Sequence, residues 1–399
     1  MKMPDPRYPF AGSLVSGPQS RLIKKAFRLY VLGLALRNYR DPALALKVLR
    51  ALIGLKRSLV GSLDNLKWLK SGGRYFWNIS SPSWPSGAFD SFILHEMNRL
   101  VPLPGFQNRY QTLIFSITNR CPLNCEHCYE YSNLDSKELL SLSELQQILG
   151  RFQEMGVSSI ELSGGEPLSR FDDLLVLLQT SKTGTDFWIL TSGFGLELRK
   201  AWALKKAGLT GVVISLDHYE EAEHNHFRGS DQAYEWVWKA VKNAQSVGLA
   251  VALSLCVTRD FLSEENLDRY LQLALEKGVY LVRILEPREV GRYQGKNVEL
   301  TPAELNILDN WFTKVSSDPA YQNYPILDYL AYYQSRSGCF GGDRYLYIDS
   351  RGDLHACPFC QKPAGSALDK DLEPILSSLQ ELGCHKYPKF GSGNLKIGK

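Results

Sequence analysis

Six short apolar segments alternate with amphipathic helical patterns from residue 111 onward, and this alternation restricts the fold more than any other feature of the chain. The segments predicted as strands are 112–117, 158–162, 186–191, 211–216, 251–258 and 280–285. Strands separated by helices pair in parallel, because each helix carries the chain back along the sheet. We therefore predict an α/β fold built from parallel βα units.

Residues 1–110 lack this alternation. Apolar residues recur at helical spacing over residues 21–70, and Asp41-Pro42 marks a helix start with proline at the first position. The segment 71–88 is rich in glycine, proline and aromatic residues, which is typical of a loop. The sequence predicts an N-terminal region of helices and loops.

Charge is distributed unevenly along the chain. Residues 1–70 hold 14 Lys/Arg against 3 Asp/Glu, a local +11, whereas the remainder holds 32 against 39, a local −7. A basic amphipathic segment such as residues 21–70 indicates contact with an anionic membrane surface, or simply solvated helix faces. Because no run of about 18 apolar residues and no apolar signal core occurs, we expect a cytoplasmic protein, at most peripheral at the membrane. We expect no nucleic-acid partner.

The eight cysteines fall into a group of three, a group of four, and Cys256 alone. Such clustering is typical of metal binding in a cytoplasmic chain rather than of a disulfide framework. Cys256 lies inside a predicted strand. It is either a buried core thiol or, with Ser254 and Thr258 on the same face, part of a cavity wall.

The group of three is Cys121, Cys125 and Cys128, directly after the first predicted strand. Three thiolates leave one iron of a 4Fe-4S cluster without a protein ligand, whereas a ferredoxin site uses four cysteines. The open iron can bind the amino and carboxylate groups of a small molecule. A zinc site or chance clustering is the alternative.

The spacing Cys-x3-Cys-x2-Cys after the first strand resembles the signature loop of the radical S-adenosylmethionine (SAM) superfamily. The family has an aromatic residue before the third cysteine that backs the adenine of SAM. This chain has His127 there and Tyr129 just after the cysteine, so the resemblance implies SAM contacts for both. The resemblance covers roughly residues 111–385. It implies a partial (βα)6 barrel over residues 111–300, between a helical N-terminal region (1–110) and a small cysteine-rich C-terminal domain (301–399).

One βα unit later, the chain carries Ser163-Gly164-Gly165-Glu166-Pro167, which is similar to the family's GGEP motif. That motif contacts the methionyl amino group of SAM. Two glycines let backbone carbonyls approach an ammonium, and a glutamate adds negative charge. The resemblance implies further SAM contacts at later strand ends: Ser192 in Thr191-Ser192-Gly193, Ser215 and Asp217 in Ser215-Leu-Asp217, and Arg228. Glu286-Pro287-Arg288 is a candidate substrate contact or a loop salt bridge.

The pattern Cys339-x12-Gly352-x4-Cys357 resembles the start of a SPASM or twitch domain, the auxiliary-cluster extension of part of the superfamily. Residues 345–355 are typical of a β-hairpin with its turn at 349–352. With Cys360 and Cys384, the resemblance implies four ligands for one auxiliary 4Fe-4S cluster. A structural zinc site with four cysteines is the alternative.

The resemblance implies an enzyme that reductively cleaves SAM to a 5′-deoxyadenosyl radical, which abstracts a hydrogen atom from a substrate. It implies SAM, a SAM-binding 4Fe-4S cluster, the auxiliary cluster, and a flavodoxin or ferredoxin as reductant. The oxidoreductase, transferase or lyase class stays open.

Three hypotheses concern what the protein acts on. The first is a peptide or small metabolite, although the N-terminal region lacks the three-strand-plus-helix pattern of the usual leader-peptide binding domain. The second is a lipid or membrane-borne substrate, which the basic helices and the Trp68, Trp77 and Trp84 series favour. The third is a non-catalytic iron-sulfur electron carrier, which would not cleave SAM.

Overall fold

The chain begins with a small unit that mixes strands and helices. The computed structural model describes residues 12–60, 67–106, 110–134, 137–381, 384 and 386–387. The elements of this N-terminal unit are β1 (Ser13–Val15), α1 (Gly17–Tyr39), α2 (Pro42–Val60), β2 (Trp68–Ser71), β3 (Arg74–Phe76) and α3 (Gly87–Leu100). Strand β2 pairs antiparallel with both β1 and β3, which gives a three-stranded sheet.

The prediction of helices and loops alone is wrong for this sheet. The helical pattern extends to about Lys70 in the sequence, but α2 ends at Val60 and Lys70 lies in β2. The physical reason is the Gly72-Gly73 pair, in which both residues have a positive φ (56° and 80°) and form the tight turn between β2 and β3. The predicted lack of strands in this region was an argument against a peptide substrate. That argument no longer holds, because the N-terminal unit contains a three-stranded sheet.

One ten-stranded sheet forms the centre of the molecule. Its strands are β4 (Thr112–Ser116), β5 (Ser159–Ser163), β6 (Asp186–Thr191), β7 (Gly211–Ser215), β8 (Ala250–Cys256), β9 (Leu281–Leu285), β10 (Ile326–Asp328), β11 (Tyr345–Ile348), β12 (Asp353–His355) and β13 (Gly365–Ser366). The order is β10-β9-β8-β7-β6-β5-β4-β11-β12-β13, and every pair from β10 to β11 is parallel. The predicted α/β fold and all six predicted strands are confirmed, and β10 and β11 extend the parallel set.

Nine helices of the described chain follow the N-terminal unit. They are α4 (Leu142–Glu154), α5 (Phe171–Thr180), α6 (Leu198–Lys206), α7 (Glu221–Arg228), α8 (Ala233–Ser246), α9 (Glu264–Glu276), α10 (Pro302–Ser317), α11 (Leu330–Ser337) and α12 (Glu373–Glu381). Capping boxes start two of them: Ser141 with Glu144 at α4, and Thr301 with Glu304 at α10. The main apolar core lies between these helices and the sheet. Within the described ranges, no helix combines the length and apolar content needed to cross a bilayer.

The N-terminal unit packs against the opposite, concave face of the sheet. Leu69, Phe76 and Ile79 form a buried cluster with Trp188 and other sheet residues of that face. The rings of Phe76 and Trp188 meet edge to face, with centroids 5.8 Å apart. Successive side chains of a strand point to opposite faces, so Trp188 points away from the helix-facing Ile189. The N-terminal unit therefore fills part of the space that the open barrel encloses.

A buried ion-pair cluster crosses the concave face. Arg283 on β9 donates to both carboxylate oxygens of Glu161 on β5, at 2.6 and 2.9 Å, and to Asp328 on β10 at 3.3 Å. Ser80 of the N-terminal unit donates to Asp328 at 2.9 Å. Burial raises the pKa of Asp328, and the positive charge of Arg283 opposes that rise. The cluster therefore links β5, β9 and β10. Loss of any one partner would be costly, because it would leave a buried charge unpaired.

The C-terminal segment continues the same sheet. The predicted hairpin is confirmed, since β11 and β12 are antiparallel and Gly352 (φ 88°) lies in the turn between them. Strand β11 runs parallel to β4. The sheet therefore extends past residue 300, and the three predicted domain ranges stay predictions.

Candidate functional site

A cavity of about 1320 Å³ runs along the concave face and reaches the carboxyl ends of the parallel strands. Its wall includes the loop that follows β4, the ends of β5 to β9, and residues of α1 and α2. Ligands of open parallel sheets bind at the carboxyl ends of the strands. This cavity is therefore the candidate functional site.

The three-cysteine loop borders this cavity. Cys121, Cys125 and Cys128 all line it, and Cys125 is buried. The backbone N–H of Arg292 donates to the carbonyl oxygen of Cys128 at 3.0 Å, which anchors the loop to the segment after β9. From α7, Nη1 of Arg228 donates to Sγ of Cys125 at 3.7 Å.

Burial makes the thiols of this loop hard to ionise without a metal. It raises the pKa of Cys121 and the pKa of Cys128 to about 12. At neutral pH both thiols stay protonated until a bound cation stabilises the thiolate, and metal binding then releases the protons. The site is thus suited to a cationic cluster rather than to free thiolates.

The Gly164-Gly165 turn lies directly against the start of the cysteine loop. A β-carbon at Gly164 would lie 2.4 Å from the carbonyl oxygen of Thr118, and one at Gly165 would lie 2.3 Å from that of Arg120. The backbone N–H groups of Gly165 and Glu166 donate to these same two oxygens, at 2.8 and 2.7 Å. The φ of Gly164 is 144°, which glycine adopts most easily. The two segments can approach this closely only because neither position carries a side chain.

Glu166 is buried, and its carboxylate holds the end of β6. It accepts four hydrogen bonds of 2.6–3.1 Å, from the hydroxyl of Thr191, the hydroxyl and backbone N–H of Ser192, and the backbone N–H of Leu168. A carboxylate has about four acceptor sites, so protein donors occupy them. Burial raises the pKa of Glu166, and the hydrogen bonds from Ser192 and Thr191 oppose that rise. The residue lines the cavity, but its hydrogen bonds are made within the protein.

Asp217 and Arg228 form a buried ion pair in the cavity wall. Nε of Arg228 donates to Oδ2 of Asp217 at 2.6 Å, and the backbone N–H of Cys256 donates to Oδ1 at 3.0 Å. Burial raises the pKa of Asp217, but the charge of Arg228, the two histidines His127 and His224 and the backbone hydrogen bond from Cys256 together outweigh burial and hold the pKa below its usual value. Cys256 itself is buried and also lines the cavity. The thiol therefore fits both interpretations from the sequence, a buried core position and a part of the cavity wall.

The other residues predicted to contact SAM divide into two groups. Four line the cavity: His127, Tyr129, Ser192 and Ser215. His127 stacks on Phe227, with ring centres 4.7 Å apart. Pro167 begins a buried 3-10 turn and is not among the described residues that line the cavity.

The structure brings the four C-terminal thiols together as two pairs. Sγ of Cys357 lies 3.3 Å from Sγ of Cys360, and Cys339 and Cys384 form a second hydrogen-bonded pair. The pairs interact electrostatically with each other. In the described residues no three His, Cys, Asp or Glu side chains surround one metal position. Ligands of a cluster bind separate iron atoms and need not meet at one point.

Glu286 ties the Cys384 segment to the end of β9. Its carboxylate pairs with Nζ of Lys386 at 2.9 Å and accepts from the hydroxyl of Tyr387 at 3.0 Å. Arg288 is also in an ion pair, with Glu299 at 3.8 Å. Both Glu286 and Arg288 also line the cavity. Each of the two residues therefore forms a salt bridge and faces the cavity at the same time.

A polar link between the two cysteine regions was not predictable from local sequence patterns. Glu130, two residues after Cys128, accepts a short hydrogen bond from the hydroxyl of Tyr347 on β11. The rings of Tyr129 and Phe359 meet edge to face, with centroids 6.3 Å apart. Because the partners of Glu130 and Tyr129 lie more than 200 residues away along the chain, no local pattern could have identified them.

Comparisons with known sequences agree with this geometry. Residues 115–274 match the family model described as Radical SAM superfamily. A GTP 3′,8-cyclase of Shewanella denitrificans is 27% identical over 301 residues, which cover 72% of this chain and 88% of that protein.

Two solved structures share the fold. SuiB of Streptococcus suis bound to the precursor peptide SuiA has a TM-score of 0.58 at 18% identity, covering 73% of this chain and 71% of that chain. Native anSMEcpe with bound AdoMet has a TM-score of 0.54 at 18% identity, covering 68% of this chain and 81% of that chain. At these identities the likeness concerns the fold alone.

The four hydrogen bonds of Glu166 predict the effect of an isosteric change. Glu166→Gln should weaken SAM binding by about 1.5–3 kcal/mol, because the new amide N–H group faces the N–H donor of Ser192 and the glycine turn loses its anchor. Anaerobic equilibrium dialysis with labelled SAM measures the change. Glu197→Gln, at an exposed ion pair with Lys239 on α8, is the control and should bind normally. Unchanged binding in Glu166→Gln would contradict the anchoring role.

Proposed function

Because this chain is a member of the radical SAM superfamily of enzymes, we propose that it binds SAM and a 4Fe-4S cluster beside the three-cysteine loop and abstracts a hydrogen atom from a substrate in the rest of the cavity. One observation carries the proposal. The Gly164-Gly165 turn packs against the loop that bears Cys121, Cys125 and Cys128. This contact places the three thiols next to a stretch of backbone that the ammonium group of SAM can approach.

The residues present fit both groups. Thiolates of Cys121, Cys125 and Cys128 would hold three irons and leave the fourth open to SAM. Nδ1 of His127 is buried without a hydrogen-bond partner in the described residues, so a ligand there would satisfy it. When bound, the reduced cluster and SAM supply the 5′-deoxyadenosyl radical that takes the hydrogen atom.

The chain's own residues orient these groups and keep water out. Glu166 fixes the glycine turn through Ser192, and Asp217 holds Arg228 so that its guanidinium also faces Cys125. We assign the SAM contacts to the residues of this end of the cavity: His127, Tyr129, Gly164, Gly165, Ser192, Ser215, Asp217 and Arg228. Glu166, whose carboxylate is occupied by protein donors, supports the glycine turn from behind. We assign Pro167 the indirect role of shaping the turn.

A second group of thiols supports an auxiliary cluster. We propose that Cys339, Cys357, Cys360 and Cys384 hold a 4Fe-4S cluster in a SPASM- or twitch-like domain. The support is that the two thiol pairs lie close enough to interact electrostatically, and that Glu286 holds the Cys384 segment at the cavity wall. A zinc ion on the same thiols is the alternative. A flavodoxin or ferredoxin is the proposed reductant.

The relatives leave the substrate open, since their names include a GTP cyclase and an enzyme bound to a precursor peptide. A peptide or small metabolite therefore stays one candidate. The N-terminal unit of this chain favours the other candidate, a membrane-borne substrate.

We also propose that α1 and α2 contact an anionic lipid surface. The two helices contain nine Lys/Arg and no Asp/Glu. Ten large apolar side chains of the described residues are exposed, and seven of them lie on these helices: Leu22, Leu29, Leu32, Leu36, Leu44, Leu46 and Ile53. Cations and exposed leucines on the same helices are typical of interfacial binding. The enzyme would then be peripheral on the cytoplasmic leaflet, which is anionic.

SAM cleavage tests the reaction class. Anaerobically reconstituted and reduced protein should release 5′-deoxyadenosine, and the variant with Cys121→Ala, Cys125→Ala and Cys128→Ala should not, because it lacks the ligands of the SAM-binding cluster. Chromatography of the quenched reaction measures the product. Cys256→Ala, which removes a cavity thiol outside both groups, is the control and should stay active. A fully loaded wild type that never forms 5′-deoxyadenosine would favour the electron-carrier hypothesis.

Metal content tests the auxiliary cluster. Reconstituted protein should hold about eight iron per chain, from two 4Fe-4S clusters. Replacement of Cys339, Cys357 and Cys360 by alanine should remove about half of the iron while SAM still binds, because the first site keeps its ligands. Elemental analysis measures both metals. Zinc in place of the second half would contradict the auxiliary cluster and leave the first site intact.

Vesicle sedimentation tests the lipid contact. Wild type should bind vesicles that contain phosphatidylglycerol, and binding should weaken as salt rises, because each basic residue near the surface contributes about 1 kcal/mol that salt screens. The variant Lys24→Glu, Lys25→Glu, Arg28→Glu should lose binding yet still cleave SAM. The matched reversal of three charges on α6, Arg199→Glu, Lys200→Glu, Lys206→Glu, should bind as wild type does. A wild type that ignores anionic vesicles at low salt would show that the exposed leucines serve another purpose.

A further inference from the structure

The cavity is larger than one cofactor needs. Its volume of about 1320 Å³ exceeds the roughly 300–1,000 Å³ of pockets that enclose one small ligand. The residues assigned to SAM occupy the end near the three-cysteine loop, and the N-terminal unit lines the other end. The second end is therefore the space for the substrate.

The substrate end of the cavity is apolar and aromatic. Phe27 of α1 lies at the centre of a group of rings, with its centroid 5.3–5.5 Å from those of Trp68, Trp77, Trp84 and Phe89. Phe27, Trp68 and Trp77 line the cavity together. A wall of this kind binds hydrocarbon, because burial of apolar surface is its main favourable term.

The middle of the cavity does not favour an anionic group. Arg283 lines it, but its guanidinium is bonded to the carboxyl groups of both Glu161 and Asp328. One cation against two carboxyl groups leaves no positive charge for a phosphate or carboxylate of a ligand. An apolar chain can pass this cluster, whereas a charged head is better placed elsewhere.

Cations and exposed aliphatic side chains lie together at the mouth of the cavity. The four cations there are Lys24 and Arg28 of α1, and Lys56 and Arg57 of α2. Leu29 and Ile53 line the same mouth although they are 68% and 53% exposed. An anionic head at the mouth would meet the cations, and the attached chain would enter along the leucine and isoleucine.

The outer side of α1 favours a lipid over a peptide as the source of the ligand. Leu22, Leu29 and Leu36 are spaced by seven residues, so they lie on one side of the helix, and they are 66%, 68% and 43% exposed. Leu22 and Leu36 are outside the cavity wall. A peptide in the cavity would leave them in water, whereas a lipid surface would bury them.

We infer that the substrate is an anionic long-chain amphiphile taken from a lipid surface. Its head stays among the cations of the mouth between α1 and α2, and its hydrocarbon chain extends past Phe27 and Trp77 toward the SAM site. The inference rests on the proposed function for the hydrogen abstraction. The binding mode rests on the cavity wall alone.

Two photoreactive stearic acids test the binding and its direction. One carries a diazirine at the methyl end of the chain and the other carries it beside the carboxylate. On irradiation with the oxidised, cluster-loaded full chain and peptide mapping, the carboxylate-end probe should label α1 and α2. The methyl-end probe should label the concave face of the sheet, such as the peptides that contain Leu190 and Val213, which line the cavity.

Charge variants at the mouth provide the control. Arg28→Glu with Arg57→Glu should weaken stearate binding about tenfold or more, because two cations near the head are reversed in charge. Arg199→Glu with Lys206→Glu makes the same charge change on α6 and should leave the affinity unchanged. The inference is overturned if wild type does not bind stearate, or if both probes label the same surface residues. It is also overturned if a second copy of the chain covers the leucines, seen as a dimer that Leu22→Glu with Leu36→Glu dissociates.

Release of 5′-deoxyadenosine by the same preparations separates this inference from the proposed function. Protein that cleaves SAM but excludes stearate contradicts the amphiphile alone. Protein that binds stearate in the stated direction but never cleaves SAM contradicts the proposed function alone. An acidic peptide that displaces stearate from the concave face and binds more tightly would assign the cavity to a peptide and overturn the inference.

Discussion

The contact between the Gly164-Gly165 turn and the loop after β4 is the constraint on which the site depends. Backbone atoms of the two segments lie so close that a β-carbon at either glycine would fall within 2.4 Å of a carbonyl oxygen. This approach sets Cys121 beside the end of β5, and a shift large enough to admit a methyl group would move the thiol with it. One packing contact thus positions both the proposed metal ligands and the backbone that we propose faces SAM.

Buried polar groups extend this constraint across the strand ends. Glu166 joins the glycine turn to the end of β6, and Asp217 joins the end of β7 to β8 and, through Arg228, to Cys125. Hydrogen bonds to charged groups in a buried site contribute more than ordinary ones and are costly to leave incomplete. The cofactor end of the cavity is therefore rigid and polar. The N-terminal unit, with its aromatic wall and exposed leucines, makes the other end apolar. From this difference between the two ends we infer that the substrate is a long-chain amphiphile.

Local patterns determined how much could be predicted from the sequence. The six strands lie in short, mostly apolar segments between helical patterns, and the capping residues Ser141 and Thr301 mark helix starts, so these elements were predictable. The sheet of the N-terminal unit was missed because its strands are only three or four residues long and the Gly72-Gly73 turn resembles a loop. Arg283 and Glu161 did carry a signal, since each is a charged residue inside an apolar strand.

The open iron of the three-cysteine site is the central claim, and one spectroscopic measurement tests it most directly. The variant that lacks Cys339, Cys357 and Cys360 keeps only that site and can be reduced and examined by EPR with and without SAM. The account predicts that SAM changes the g-values of the cluster, because its amino and carboxylate groups add ligands to one iron. A spectrum that stays the same while dialysis demonstrates bound SAM would contradict it.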